Sequence, residues 1–167
     1  MASRIESRLR ELNVTLPEPD APVANFVPCV RAGSLLFVSG QITIWNGELR
    51  HVGRVGEEVS VEEACAGARL CALNLLAHAR AFLGDLDRVE RVVEVRGFVN
   101  AVPGFTQHPA VINGASDLFV EVFGEAGRHA RFAVGVPSLP AGVAVEVAAV
   151  FALREAAASS DAPGGGA

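Results

Sequence analysis

The chain contains no lysine and no tyrosine; all fourteen of its basic residues are arginine. Without lysine there is no side-chain amine for Schiff-base chemistry, and without tyrosine there is no phenolic acid. The net charge is −5 and no basic cluster occurs, so the concentrated basic surface that nucleic acid requires is missing. Cysteine is scarce. Cys29, Cys65 and Cys71 are odd in number and fit reduced, buried small residues better than a disulfide framework. No stretch approaches a charge-free membrane span, and residues 1–9 lack the apolar core of a signal peptide, so a cytoplasmic protein with no membrane partner is expected.

His51, His78, His108 and His129 occur singly, with neither the i, i+4 pairing nor the cysteine pairs of a zinc site, so no metal is expected. Gly53-Arg54-Val55-Gly56 is too short for a nucleotide-binding loop, and Ser39-Gly40-Gln41 is not a hydrolase nucleophile elbow.

What remains is a chain of 167 residues, half of them hydrophobic and a fifth charged, enough for one domain with a proper core. Ile5, Leu9 and Leu12 predict a short helix over 3–12, followed by a proline-rich connector over 16–24. Strands are expected over 26–31, 35–39 and 42–45. Ser60 and Glu63 form a capping-box pattern before a long helix whose stripe is Ala64, Ala68, Cys71, Leu75, Ala79 and Phe82, with Gly84 as its stop. His78 on that helix reads as partly exposed. Residues 89–100 alternate as a strand, and 113–123 read as a second helix ended by Gly124. The domain organisation is a helix and connector over 1–25, one domain over 26–154 and an Ala/Ser/Gly-rich tail over 155–167, expected to be disordered. Strands separated by helices imply a mixed sheet in an α+β fold, with two main helices packed on one face. The last strand is apolar on both sides, which predicts that its second face is buried against another subunit.

The carboxyl-terminal part carries the most chemistry. Residues 129–136 and 143–153 are valine-rich and joined by a Pro/Gly connection that reads as a hairpin. If Val136 faces Val143, Ala133 faces Glu146 and Arg131 faces Ala148, which makes Arg131 and Glu146 diagonal neighbours on one face. An acid in such a strand needs a partner, a water or a ligand. Two readings are open: a structural ion pair, or a small anion-binding cleft. His129 lies two residues from Arg131 on the same strand face and suits a supporting hydrogen bond better than general base chemistry.

Three segments are similar to the YjgF/RidA family of reactive-intermediate deaminases: Leu36-Phe37-Val38-Ser39-Gly40-Gln41-Ile42, Val95-Arg96-Gly97-Phe98-Val99, and Ala130-Arg131 leading through Leu139-Pro140 to Val145-Glu146-Val147. The likeness runs from about Phe26 to Leu153. The longer N-terminus and the segment 103–113 resemble a longer subgroup of that family. The resemblance implies a chorismate-mutase-like fold, a homotrimer with three clefts between subunits, and no cofactor. It implies hydrolytic deamination of enamine/imine intermediates, of the 2-iminobutanoate and 2-iminopropanoate type, to 2-oxo acids and ammonia. By position, Arg131 would clamp the substrate carboxylate and Glu146 would orient the attacking water and shuttle protons. Ser39, Gly40 and Gln41 would contribute backbone groups, and Phe26 and Ala133 would line the cleft where the family often has tyrosine and cysteine. Asn113 would supply an amide from the inserted segment. The alternative is a non-catalytic trimer that binds small carboxylates as a sensor or partner protein.

Overall fold

The computed structural model describes residues 3–155, so most of the tail over 155–167 lies outside the described residues. Helix α1 (Arg4–Glu11) begins at Ser3, whose hydroxyl accepts from the Glu6 N–H, and it sinks Ile5 and Leu9 into the main core. The carboxylate of Asp87 accepts the Arg4 and Ile5 N–H groups at 2.7 and 2.8 Å, so the helix is stitched to the body at its positive end. The extended connector leads to β1 (Cys29–Ala32), β2 (Leu35–Ile42), β3 (Ile44–Trp45) and β4 (Glu48–Leu49).

Helix α2 (Val61–Leu83) has both arms of the capping box: Glu63 N–H to Ser60 Oγ at 3.1 Å, and Ser60 N–H to the Glu63 carboxylate at 2.8 Å. It stops at Gly84, at φ 80°. The expected stripe holds except at its end. Phe82 is 49% exposed, because Leu83, four residues beyond Ala79, takes the inward slot. His78, expected to be partly exposed, is buried at 6%.

Strand β5 (Val89–Asn100) matches its expected bounds. Helix α3 (His108–Phe123) starts five residues before the expected 113, since a proline in a helix's first turn loses no hydrogen bond there. Strands β6 (Ala130–Val136) and β7 (Val145–Leu153) follow.

The five-stranded sheet has the order β1-β2-β7-β5-β6, antiparallel except for the parallel pair β5–β6, across which α3 is the crossover. The fold is thus α+β with a mixed sheet, and α2 and α3 pack on one face of it. The expected hairpin of the last two strands does not form, because β5 lies between β6 and β7. The residues 137–144 instead carry the chain past the end of β5 to the middle of the sheet. A strand apolar on both sides belongs at the centre, and β7 takes that place. Arg131 therefore opposes Val95, Ala133 opposes Gly97, and Glu146 opposes Ile42 and Phe98. The face turned away from the helices exposes Val30, Phe37, Phe132 and Val134.

Candidate functional site

Strand alternation decides where the two key side chains go. Val95 and Ala149, which flank Arg131 in its cross-strand row, are buried in the core under the helices. Glu146 is three residues from Ala149 on β7, so it points to the opposite, open face. The expected diagonal contact is therefore absent, and within one chain Arg131 and Glu146 do not form the structural ion pair.

On the open face, Glu146 lies against the β2 irregularity between Val38 and Gln41. A Cβ on Gly40 would meet Glu146 Oε1 at 2.3 Å, so the glycine gives the carboxylate room to rest on that backbone, and a larger residue would make it move aside. Burial pushes the Glu146 carboxyl above its ordinary value. Among the described residues it has no ion-pair partner. The adjoining turn is fixed by Ser39, whose hydroxyl donates to Val27 O at 2.8 Å, and by the Gln41 amide, which donates to Ser39 O at 3.1 Å. Phe26, Gly40, Gln41 and the buried His78 share the lining of a neighbouring cavity of about 180 Å³. Phe26, Ser39, Gly40, Gln41 and Glu146 thus form one group.

Arg131, Asn113 and His129 form the other, lining an open cleft of about 270 Å³ with Ser116, Asp117, Val120 and Arg128. Arg131 Nη1 donates to Asn113 Oδ1 at 2.9 Å and to Ser116 Oγ at 3.1 Å. Both acceptors are neutral, and among the described residues Arg131 has no carboxylate partner. Its Nε and Nη2 donate to none of the described residues, which leaves one fork edge of a guanidinium without an ion-pair partner free in a side chain that lines the cleft. That edge matches a carboxylate bidentately. Ala133 follows on the same strand face, half-buried against the core.

His129 Nδ1 lies 2.6 Å from the carbonyl of Gly127, and its Nε2 lies 2.9 Å from Ser116 Oγ. A carbonyl only accepts, so Nδ1 carries the proton and neutral Nε2 accepts from the serine hydroxyl. Burial, and then the Arg131 charge, lower the histidine's proton affinity, partly opposed by the bond to Gly127. Sequence reasoning missed Ser116. Its signal was the i, i+3 spacing from Asn113, which becomes legible once α3 is known to pack beside β6. Cys29 and Cys71 are buried and Cys65 half-buried, all three unpaired.

Residues 6–153 match the family model described as "YjgF/chorismate_mutase-like, putative endoribonuclease". Protein TCP17 of Trypanosoma cruzi is 47% identical over 154 residues, covering 92% of this chain and 96% of its own. The crystal structure of Atu1372 from Agrobacterium tumefaciens, a protein of unknown function, is 47% identical with a TM-score of 0.84, covering 90% of this chain and 92% of that one. A Shewanella oneidensis structure carrying the same endoribonuclease description is 36% identical with a TM-score of 0.86, covering 89% and 99%. Among the described residues, no helix is long and apolar enough to cross a membrane.

Proposed function

We propose that this chain, which belongs to the YjgF/chorismate-mutase-like family, hydrolyses 2-imino acids to 2-oxo acids and ammonia in a cleft between two copies of itself. The observation that carries the reading is the pairing of two incomplete half-sites. Arg131 is an aimed cation without a counter-charge, Glu146 is a half-buried acid without a partner, and the sheet separates them. A ligand touched by both must lie where the Arg131 side of one chain meets the Glu146 side of another. A homotrimer with such clefts also covers exposed apolar residues of the open face, Phe132 and Val134 among them.

The chemistry is undemanding, because an imine is already electrophilic. The Arg131 fork holds the carboxylate, fixing the imine carbon near Glu146. Glu146 orients a water and takes its proton as oxygen adds to carbon. That proton passes to the imine nitrogen to give the amino alcohol; Glu146 then takes the hydroxyl proton and delivers it to nitrogen as the C=O bond forms and ammonia leaves, so imine plus water yields oxo acid plus ammonia. No step draws on a cofactor. A likeness to RidA of Psychrobacter at 25% identity, and to E. coli TdcF, solved with bound serine, at 25%, supports an amino-acid-derived carboxylate as the substrate class.

The test is ammonia release from freshly generated 2-iminopropanoate and 2-iminobutanoate. Acceleration by the protein and its loss in Arg131→Ala are expected; equal rates in the variant would end the assignment. A second reading, a non-catalytic carboxylate-binding trimer, is favoured by Phe26, which has no hydroxyl, and Ala133, which has no thiol. It predicts that 2-oxo acids bind while imines decay at the uncatalysed rate. The acidic charge speaks against RNA cleavage.

A further inference from the structure

The cleft around Arg131 contains a hydrogen-bonded chain that the hydrolytic reading does not use. It runs from Arg131 Nη1 through Ser116 Oγ and His129 Nε2 to the Gly127 carbonyl, with links of 3.1, 2.9 and 2.6 Å. Each link fixes the direction of the next. The Gly127 carbonyl dictates the histidine tautomer, the bare Nε2 takes the serine proton, and the serine is left with lone pairs for the guanidinium. The far end is anchored in rigid structure. Gly127 is buried, and a Cβ on it would stand 2.2 Å from Phe119 O, so its turn is pressed onto the backbone of α3. The imidazole is also packed edge-on against Phe119, with ring centroids 6.0 Å apart.

We infer that Ser116 and His129 are positioning residues that hold Arg131 by Nη1, keep its Nε/Nη2 edge turned to the cleft, and so set the affinity for a 2-oxo or 2-imino carboxylate. The inference rests on the proposed role of Arg131 as the carboxylate clamp. An unrestrained arginine must give up rotamer freedom when an anion arrives, whereas this one is ordered beforehand. The neutral imidazole adds orientation without a competing negative charge. A carboxylate in its place would neutralise the guanidinium and weaken it as an anion site.

The experiment uses the intact assembly and has two readouts. The first is ¹⁵N relaxation of the Arg131 Nε–H with no ligand present. The second is titration with 2-oxobutanoate, alongside KM and kcat for the imine. In Ser116→Ala and His129→Phe, the Arg131 Nε–H should become mobile. Affinity should fall about tenfold, the scale of one hydrogen bond to a charged group, with KM rising far more than kcat falls. Ser116→Thr keeps the hydroxyl and should restore order and affinity. If Arg131 stays as rigid in both variants as in the wild type, the inference is overturned, whether or not any ligand binds. If both variants lose kcat and melting temperature together while KM is unchanged, the chain is only structural and the inference again fails. Should Arg131→Ala bind 2-oxobutanoate as the wild type does, it is the clamp reading that falls.

Discussion

Arg131 and Glu146 stand on opposite faces of the sheet, on β6 and β7, with β5 between them. This separation leads to a complementation experiment. Arg131→Ala and Glu146→Gln should each be inactive alone. Mixed at equal amounts under conditions that exchange subunits, about a quarter of the clefts should combine an intact Arg131 side with an intact Glu146 side in a cyclic assembly. Activity should return to that fraction of wild type. Continued inactivity of assemblies shown by mass spectrometry to be mixed would refute the shared cleft.

The Glu146 carboxyl gives a prediction with a definite sign. Its folded value is raised above the ordinary 4.5 by burial. The folded protein therefore keeps this proton at pH values where the unfolded chain has released it. The stability due to the group is full below the unfolded value and is lost as pH climbs through the folded value. Glu146→Gln should melt higher than wild type at pH 7, with the difference closing as pH falls from the raised folded value to the ordinary one. The rate should behave in the opposite way. It should rise with pH as Glu146 ionises, with a midpoint above 4.5, and Glu146→Gln should be slower by about a hundredfold or more and lack that limb.

How far the sequence could reach depended on the range of the contacts. Local signals held: the two-armed cap of Ser60 and Glu63, the stop at Gly84, the alternation over 89–100. Each is decided within a few residues, by capping chemistry or by a period of two. The partners of β6 were not legible. A Pro/Gly connection between two valine-rich strands looks the same whether they pair directly or admit a third strand, and only β5's own need for two neighbours settles it. The candidate site residues were read as one cluster, and their division between two faces follows from that one insertion. Ser116 was hidden for a related reason, since the start of α3 at His108 sets which of its residues face β6.

The crossing of α2 and α3 is set by one glycine. A Cβ on Gly114 would lie 1.9 Å from the backbone oxygen of Cys65, an atom that cannot rotate away. Gly114→Ala must push α3 off α2 and drag Asn113 and Ser116 with it. It should destabilise by about 3 kcal/mol, or about 10 °C in Tm, and weaken 2-oxobutanoate binding as well. Differential scanning calorimetry reads the first effect and ligand titration the second; an unchanged Tm would mean that the helices are not in close contact there.

The open face yields the last prediction. Phe132 is 40% exposed and meets Phe98 edge-on, with ring centroids 5.7 Å apart; Val134, on the same edge strand, is 42% exposed. Lone apolar residues on a surface need no explanation, but Phe37 and Val30 are exposed on the same face at the far side of the sheet, beyond the Glu94–Arg96 ion pair. If that face is where copies of the chain meet, Phe132→Asp places an unpaired charge at the contact while leaving the helix-side core untouched. The variant should keep its circular dichroism spectrum, elute as a monomer with light-scattering mass near that of one chain, and lose imine hydrolysis because no second copy brings Glu146 to Arg131. A monomeric variant with full activity would show that one chain suffices for catalysis, and a variant that still assembles would place the contact elsewhere.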